Sequence, residues 1–291
     1  GGSHLEDFES QGPTAACVVV KEVEKSPAGF RCEMDLSSYL AHKRIPGIEG
    51  IDTRALAKVL RAEGPLRGVL TKRLLTKKEM ERVFQKEKKE ALAYEVTTKE
   101  PYTIAGEGHH VVVMDLGVKK STLKILTDHK LKVTVLPCSS SLAEFLAVKP
   151  QGVLLSEGPG DPKEYEGILD VVKALAQVKP VLGLSLGHQL LALAFGGETK
   201  KLPYGHRGGN HPVLEKETEK IFITKQHHGY VACDVQEALD ITHVSLSDGT
   251  IEGMRHKRLP VSGVQFQLDA CQEDPATKSL FQTFLKDMEG K

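Results

Sequence analysis

The sequence has no excess of charge of either sign, since 39 lysine and arginine residues balance 39 aspartate and glutamate residues. A net charge of zero creates no long-range field that would attract nucleic acid or an anionic membrane surface. Short basic pairs such as Lys119 and Lys120 are therefore interpreted as solvated surface. Neither nucleic acid nor a membrane is an expected partner.

Long hydrophobic runs are also lacking. No uninterrupted apolar stretch in the sequence reaches the ~20 residues that a membrane-spanning helix needs. The first residues do not combine a basic start with an apolar core, as a secretory signal does. The sequence therefore predicts neither a membrane span nor a secretory signal.

Cysteine is scarce and scattered. The count of five is odd, which argues against a framework of disulfide bonds, and the spacing matches no metal-binding motif. Unpaired thiols are typical of a reducing compartment, so we expect a cytoplasmic protein with no metal site. The cysteines are Cys17, Cys32, Cys138, Cys233 and Cys271.

Length and composition indicate an ordinary globular protein of about two domains. Hydrophobic residues make up 40% of the chain and charged residues 27%, which excludes extensive disorder. Residues 97–109 contain Pro101, Gly106 and Gly108 and form the best linker candidate. This divides the chain into domains 1–100 and 110–291.

Hydrophobic periodicity predicts an α/β fold in both parts. From Val111 onward, buried strands alternate with helices, which specifies a doubly wound, mostly parallel sheet. Before the linker, one strand precedes three helices, and Asp52 is placed to cap the second of them. The predicted strands are 16–20, 111–114, 132–136 and 153–155, and the predicted helices are 36–44, 53–63, 77–94, 119–128 and 141–147.

A sharp turn is predicted at Ser185. Residues 181–184 have the pattern of a buried strand and residues 190–194 that of an apolar helix, with the serine between them. Gly183 and Gly187 flank it, as in the nucleophile turns of hydrolases. Backbone N–H groups at such a helix start can stabilise an oxyanion. A plain glycine-rich joint is the alternative interpretation.

Other segments carry a resemblance that favours the catalytic interpretation. Their order and spacing are similar to those of the small, glutamine-hydrolysing subunit of carbamoyl phosphate synthetase, a class I glutamine amidotransferase. The resemblance covers nearly the whole chain from about residue 5. The segments that carry it are GIEGIDTRAL at 47–56, SEGPGDP at 156–162, GLSLGHQLLALA at 183–194, GHRGGNHP at 205–212, QHHGY at 226–230 and VQF at 264–266.

The resemblance implies a catalytic triad of cysteine, histidine and glutamate, and this chain departs from it. The matching positions are Ser185, Gln267 and Asp269, with Leu268 in place of the family's proline. A serine needs a base to ionise it, and an amide cannot accept a proton at neutral pH. We therefore expect a very poor glutaminase.

Substrate contacts implied by the resemblance are better preserved. His227 replaces an asparagine of the family, and Glu157, where asparagine is usual, adds a negative charge beside the pocket. The expected glutamine-binding residues are Gly158, Gly160, Leu186, Gln189, His227, Gly229 and Tyr230.

Three other residues are candidates to replace the missing base or nucleophile. His228 matches a family histidine near bound glutamine, His188 lies beside the turn, and Cys271 follows Gln267 by four positions. In a chain with 12 histidines, a chance neighbour is the better interpretation. All three are expected to be structural.

The resemblance also implies partners. We expect a large synthetase subunit, which would use ATP and bicarbonate for arginine or pyrimidine biosynthesis, and L-glutamine as the ligand of this chain. This chain itself is expected to need no cofactor. Its first domain is similar to only part of the family's amino-terminal domain and is interpreted as truncated. Two alternatives remain open: a glutamine-binding or interaction module without a synthetase, and an active glutaminase inactivated on purpose.

Overall fold

The structure, a computed structural model, describes residues 2–4, 8–10, 12–24, 32–86, 91–268 and 275–290. The chain divides into two compact units, residues 1–89 and residues 90–291. The boundary lies earlier than the linker predicted at residues 97–109.

The first unit contains short strands and three helices. Asp35 and Asp52 cap α1 and α2, since their carboxylates accept from the backbone N–H groups of Ser38 and Ala55, both at 2.9 Å. β1 pairs antiparallel with β3, and β2 pairs parallel with β4. The elements are β1 (Gly2–Ser3), β2 (Val18–Val19), β3 (Met34–Asp35), α1 (Leu36–His42), β4 (Gly47–Ile48), α2 (Thr53–Glu63) and α3 (Lys77–Lys86).

The second unit contains ten strands, five α-helices longer than one turn, a short helix α4 and a 3-10 helix over Pro162–Tyr165 among its described residues. The elements up to the serine turn are α4 (Ala93–Val96), β5 (Tyr102–Ile104), β6 (His110–Asp115), α5 (Lys120–Asp128), β7 (Lys132–Pro137), α6 (Leu142–Ala147), β8 (Gly152–Leu155), α7 (Glu166–Val178) and β9 (Val181–Leu184). Those after it are α8 (Leu186–Ala194), β10 (Glu198–Glu215), β11 (Ile221–Asp234), β12 (Leu239–Ser245), β13 (Ile251–His256), β14 (Val261–Val264) and α9 (Pro275–Glu289).

All ten strands form one sheet in the order β11-β10-β12-β13-β14-β9-β8-β6-β7-β5. The five strands from β14 to β7 are parallel, and antiparallel strands extend the sheet on both sides. The parallel centre confirms the predicted α/β class. It also brings the ends of β8 and β9 to one edge of the sheet, where ligands bind in such folds.

Helices cover both faces of the parallel strands. In β6 the side chains alternate, so Val112 and Met114 pack with residues of α6, α7 and α8. Val111 and Val113 face the other way and pack with α5 and α9. Both faces are fully buried, which explains why these strands are continuously hydrophobic.

Three sequence-based expectations need correction. Residues 102–104 within the predicted linker form β5, which pairs antiparallel with β7, so this stretch belongs to the second unit. Within the helix predicted at 77–94, the structure describes α3 over Lys77–Lys86 and a separate turn α4 over Ala93–Val96; residues 87–90 lie outside the described residues. The first unit's predicted strand at 16–20 is reduced to Val18–Val19.

Two further observations concern expectations from composition. In the part of the chain that the structure describes, no helix is both long enough and apolar enough to cross a membrane. The described cysteines, Cys17, Cys32, Cys138 and Cys233, are unpaired.

Candidate active site

Ser185 lies at a sharp turn between a buried strand and a helix. β9 ends at Leu184, α8 begins at Leu186, and the serine between them has φ 49° and ψ −101°. A positive φ is uncommon for a residue with a side chain and is typical of a nucleophile turn. The backbone N–H of Ser185 donates to the carbonyl of Val264 at 2.8 Å, which attaches the turn to β14. The predicted strand–helix turn is confirmed.

Two glycines make this turn possible. A Cβ atom on Gly187 would lie 2.3 Å from the carbonyl oxygen of Leu155 on the neighbouring strand. A Cβ atom on Gly183 would lie 2.7 Å from the carbonyl oxygen of Gly187 itself. Real Cβ atoms do not approach backbone so closely, so both positions require glycine.

An amide occupies the position beside the serine hydroxyl. The side-chain N–H of Gln265 donates to Ser185 Oγ at 3.3 Å, and the oxygen of the same amide accepts from Gln189 Nε2 at 2.9 Å. Gln189 Nε2 also donates to the carbonyl of Tyr230 at 2.6 Å. The hydroxyl therefore accepts the last hydrogen bond in a chain of side-chain amides. The Gln265 amide cannot take the proton of the hydroxyl, so this contact does not provide a catalytic base. The role of Gln265 was missed from the sequence, where its only signal is an amide between two apolar residues.

Gln267 shares a small cavity with Ser185. Its backbone N–H donates to the carbonyl of Lys225 at 2.9 Å, which fixes it against β11. The cavity has a volume of about 10 Å³, close to the space of one water molecule. The residues that line it are Lys119, Thr122, Glu157, Leu184, Ser185, Phe266, Gln267 and Leu268.

Asp269 and Cys271 lie outside the described residues. The expectation that Asp269 completes a remnant of the triad therefore stays a prediction. Ser185 and Gln267, two of the three positions that the resemblance assigns to the triad, line one cavity.

Neither of the buried histidines that could replace the base contacts the serine. His188 is buried in α8, and burial lowers its pKa to about 4. Burial lowers the pKa of His228 to about 3, and its two ring nitrogens lie 2.9 Å from the Tyr230 carbonyl and 2.7 Å from Gln226 Oε1. Among the described residues, no histidine is hydrogen-bonded to Ser185, and imidazoles of such low pKa are weak bases.

Glu157 places a buried carboxyl group in the same cavity. Its Oε1 accepts from the Thr122 hydroxyl at 2.7 Å and from the backbone N–H of Lys119 at 3.1 Å. Its Oε2 is buried and has no hydrogen-bond partner among the described residues. Burial raises the pKa of this carboxyl, although the Thr122 hydrogen bond opposes the shift.

The loop after β8 carries the first two predicted glutamine contacts. Gly158 lies against the backbone of Leu116, whose carbonyl oxygen would be 2.3 Å from an added Cβ. Gly160 has φ +97° and leaves space for the hydroxyl of Tyr165. That hydroxyl donates to the carbonyl of Pro159 at 2.7 Å and accepts from the backbone N–H of Ala93 at 2.9 Å, which holds the loop.

The other predicted contacts lie on two elements. Leu186 and Gln189 are buried in the first turn of α8, whereas His227, Gly229 and Tyr230 follow one another along β11. The Gln189–Tyr230 hydrogen bond joins these two elements, so the structure brings them together. His227 is exposed.

Sequence comparisons identify the relatives of this chain. The family profile described as Glutamine amidotransferase class-I matches residues 112–287, and that described as Carbamoyl-phosphate synthase small chain, CPSase domain, matches residues 1–70. The carbamoyl phosphate synthase small chain of Clostridium perfringens is 42% identical over 98% of this chain and 82% of that protein. The small chain of a Listeria monocytogenes strain is 40% identical over 100% of this chain and 81% of that protein.

A solved structure supports the fold. A putative GMP synthase subunit from Thermoplasma acidophilum superposes with a TM-score of 0.56, covering 63% of this chain and 96% of that one. Its sequence identity of 18% supports a shared fold only. Together with two profiles and relatives at 40–42% identity, this shows that the chain belongs to the carbamoyl phosphate synthase small chain family and has its class I glutamine amidotransferase domain.

Proposed function

We propose that this chain is a carbamoyl phosphate synthase small subunit whose own glutaminase centre is degenerate. The observation that supports this most directly is the surroundings of Ser185 Oγ. Its hydrogen-bond partner is the amide of Gln265, and a second amide, Gln267, lines the same cavity. Neither group accepts a proton at neutral pH.

The chemistry of amide hydrolysis explains the expected loss of activity. A serine hydroxyl attacks a carboxamide only when a base takes its proton and later returns it to the leaving ammonia. Without that base, substrate binding and oxyanion stabilisation still accelerate hydrolysis about 10³- to 10⁴-fold over water. This residual rate is far too low to supply a synthetase.

The partner in this proposal is a large synthetase subunit. That subunit would bind ATP and bicarbonate and would use free ammonia for arginine or pyrimidine biosynthesis. This chain would contribute a structural or regulatory contact and needs no cofactor for it. We propose the cytoplasm as the compartment, because unpaired cysteines are typical of a reducing environment.

The glutamine contacts belong to the same proposal. The resemblance assigns these contacts to the loop with Gly158 and Gly160, to the helix start with Leu186 and Gln189, and to the strand with Tyr230. The water-sized cavity and the buried carboxyl of Glu157 oppose deep insertion of the ligand. We therefore expect weak glutamine binding.

The test uses the complete chain mixed with a purified large synthetase subunit. Size-exclusion chromatography should show a complex, which should make carbamoyl phosphate from free ammonia. With glutamine as the only nitrogen source, glutamate release is expected to stay far below the rate of ammonia-dependent synthesis. Release at a rate that sustains synthesis would contradict the degenerate centre, and separate elution of the two chains would contradict the partner.

A further inference from the structure

A cluster of buried polar side chains lies outside the Ser185 cavity, where β10, β11 and β13 meet. It consists of His206 on β10, Gln226 and His228 on β11, and Glu252 on β13; we call it the two-histidine cluster. All four side chains are buried. The register places His206 directly opposite His228 across the β10–β11 pair.

Nitrogen and oxygen atoms of these four side chains that could bind a metal lie close together. Gln226 Oε1 lies 3.0 Å from His206 Nδ1 and 2.7 Å from His228 Nε2. Glu252 Oε1 lies 3.5 Å from His206 Nδ1. One ligand atom each of His206, His228 and Glu252 lies within 4.8 Å of the other two.

Each imidazole has one nitrogen that faces away from the cluster, and the hydrogen-bond partner of that nitrogen determines whether the other nitrogen offers a lone pair to the cluster. His206 Nε2 lies 2.9 Å from the carboxylate of Asp248, and His228 Nδ1 lies 2.9 Å from the carbonyl of Tyr230. A carbonyl only accepts, so His228 carries its hydrogen on Nδ1 and a neutral ring turns a lone pair on Nε2 inward. This arrangement of an outer carboxylate or carbonyl behind each imidazole is typical of metal-binding histidines.

The orientation of the Gln226 amide is also fixed. Its Nε2 donates to Glu252 Oε2 at 2.9 Å and to the Thr224 hydroxyl at 3.1 Å. That hydroxyl donates to the carbonyl of His211, so it accepts from Gln226. The amide oxygen therefore faces His228 Nε2 at 2.7 Å, and two acceptors at this distance repel each other unless a positive charge lies between them.

Glu252 Oε1 has a positive partner only when His206 is protonated, since His206 Nδ1 lies 3.5 Å away. The Glu252 side chain is fully buried, and its Oε1 has no hydrogen-bond partner among the described residues. A buried carboxylate without a compensating charge is costly. Its free oxygen adds a fourth donor to the two imidazoles and the amide oxygen.

We propose that the two-histidine cluster binds one divalent metal ion, Zn²⁺, through His206, Gln226, His228 and Glu252. Two imidazoles and a carboxylate are ligands that zinc prefers, and the amide oxygen would complete a set of four. Zinc–ligand bonds of about 2.0–2.1 Å place tetrahedral ligands about 3.3 Å apart. Three of the six ligand pairs lie 2.7, 3.0 and 3.5 Å apart, on both sides of that value, and the ligand atoms of His206, His228 and Glu252 lie within 4.8 Å of one another.

Without a metal ion, both His206 and His228 would have to be protonated to satisfy the acceptors of the cluster. A proton on His206 gives Glu252 and Asp248 a partner, but it leaves the acceptor pair of His228 and Gln226 unchanged. Protonating His228 as well would place two positive rings with centroids 5.0 Å apart in a buried site. A single ion satisfies all four donors at once and joins β10 and β11 to β13.

The test begins with the complete chain, stripped of metal with a chelator and titrated calorimetrically with Zn²⁺. We expect about one ion per chain and a higher melting temperature with metal, since the ion binds only the folded site. Co²⁺ in place of zinc should give the strong visible absorption of a four-coordinate site.

Two variants separate this site from surface binding. Glu252→Gln keeps the shape but removes the anionic ligand, and it should weaken Zn²⁺ binding at least about 10-fold. His211→Asn is the matched control, because the His211 ring stacks on His206 at 5.2 Å without pointing a donor into the cluster, and its affinity should stay within about twofold.

Three results would overturn the proposal. They are no saturable binding near one ion per chain, unchanged affinity in Glu252→Gln, and a Co²⁺ spectrum like that of the hydrated ion. The first and third use the unmodified chain, so they remain decisive even where the variant does not fold. The synthetase partner and the degenerate centre do not depend on this ion.

Discussion

A serine hydroxyl attacks a carboxamide only when a neighbouring group takes its proton. At Ser185 the neighbour is the amide of Gln265, which donates to Oγ at 3.3 Å. The position that the resemblance assigns to the base carries Gln267, also an amide. At the scale of residues, the turn is therefore formed, and its observed side-chain partner is an amide that supplies no base.

Restoring activity should require two changes. Ser185→Cys alone should give little glutamate release, because no base is present, whereas Ser185→Cys combined with Gln267→His should recover part of it. A coupled glutamate dehydrogenase assay measures both. Full recovery from the single change would show that another residue already serves as the base.

Glu157→Gln should stabilise the protein at neutral pH. Burial raises the carboxyl's pKa in the folded state, so the folded protein holds its proton more tightly and stability falls as pH rises above the ordinary value of 4.5. Glutamine has no such cost, so its advantage in melting temperature should grow with pH above 4.5 and vanish below it.

Glu144→Gln provides a control of opposite sign. Its carboxylate accepts hydrogen bonds from the backbone N–H and hydroxyl of Ser141, which lower its pKa. The stabilisation from Glu144 is present above 4.5 and is lost as pH falls, so this variant should melt lower than the parent at neutral pH. Two pH profiles of the same sign would contradict the assignment of Glu157.

The sequence predicted the serine turn but only part of its surroundings. Glycines on both sides of Ser185 mark the turn locally, and the family resemblance identifies Gln267. Gln265 has no such signature, because a single amide in an apolar strand indicates neither its partner nor its orientation. Its contact with Ser185 depends on the pairing of β14 with β9, which is a tertiary feature.

At the scale of elements, the joint between β9 and α8 depends on close approach of backbone. An added Cβ at Gly187 meets the Leu155 carbonyl oxygen on β8 at 2.3 Å, and neither strand nor helix can move away without breaking the sheet. The strand β8 lies between β6 and β9, so it is held on both sides.

Gly187→Ala should therefore cost at least about 2 kcal/mol of unfolding free energy. This corresponds to a melting temperature about 4–8 °C lower in a unit of this size. Gly209→Ala is the control, since nothing lies within 4 Å of its added Cβ. Equal melting temperatures for the two variants, measured by circular dichroism, would be inconsistent with the close contact.

Periodicity predicted the strands β6 to β9 and the helices α5, α6 and α8, because long apolar runs alternate there with amphipathic ones, but it gave no prediction for α7 or β14. It missed β5, whose three residues lie between Pro101 and Gly106 and are too few to show alternation. The long strands β10 and β11 also had no clear pattern. Their pairing is interrupted by register shifts, and β10 contains glycines and Pro212, which usually indicate turns.

At the scale of the whole molecule, the two units differ in what they bury. Both hydrophobic clusters belong to the second unit, from Ala93 to Met288. In the described part of the first unit no side chain is buried, and several large apolar ones are exposed, including Leu56, Val59 and Leu74. Burial of apolar side chains supplies most of the stability of a fold, so the units should differ in stability.

A fragment of residues 91–291 should fold without the first unit. We expect one cooperative thermal transition in its circular dichroism, whereas a fragment of residues 1–89 should show none. Aggregation or gradual melting of the longer fragment, or a sharp transition in the shorter one, would contradict this assignment of stability.

The bend at Ser185 has a consequence for the history of the site. Its shape is imposed by Gly183 and Gly187 and by the bond to Val264, none of which involves the serine side chain. Loss of the reactive groups would therefore leave the backbone of the turn intact, and selection for folding alone would be enough to keep it. A thiol introduced at position 185 would occupy the same turn, so we expect that few mutations are needed to regain a nucleophile there.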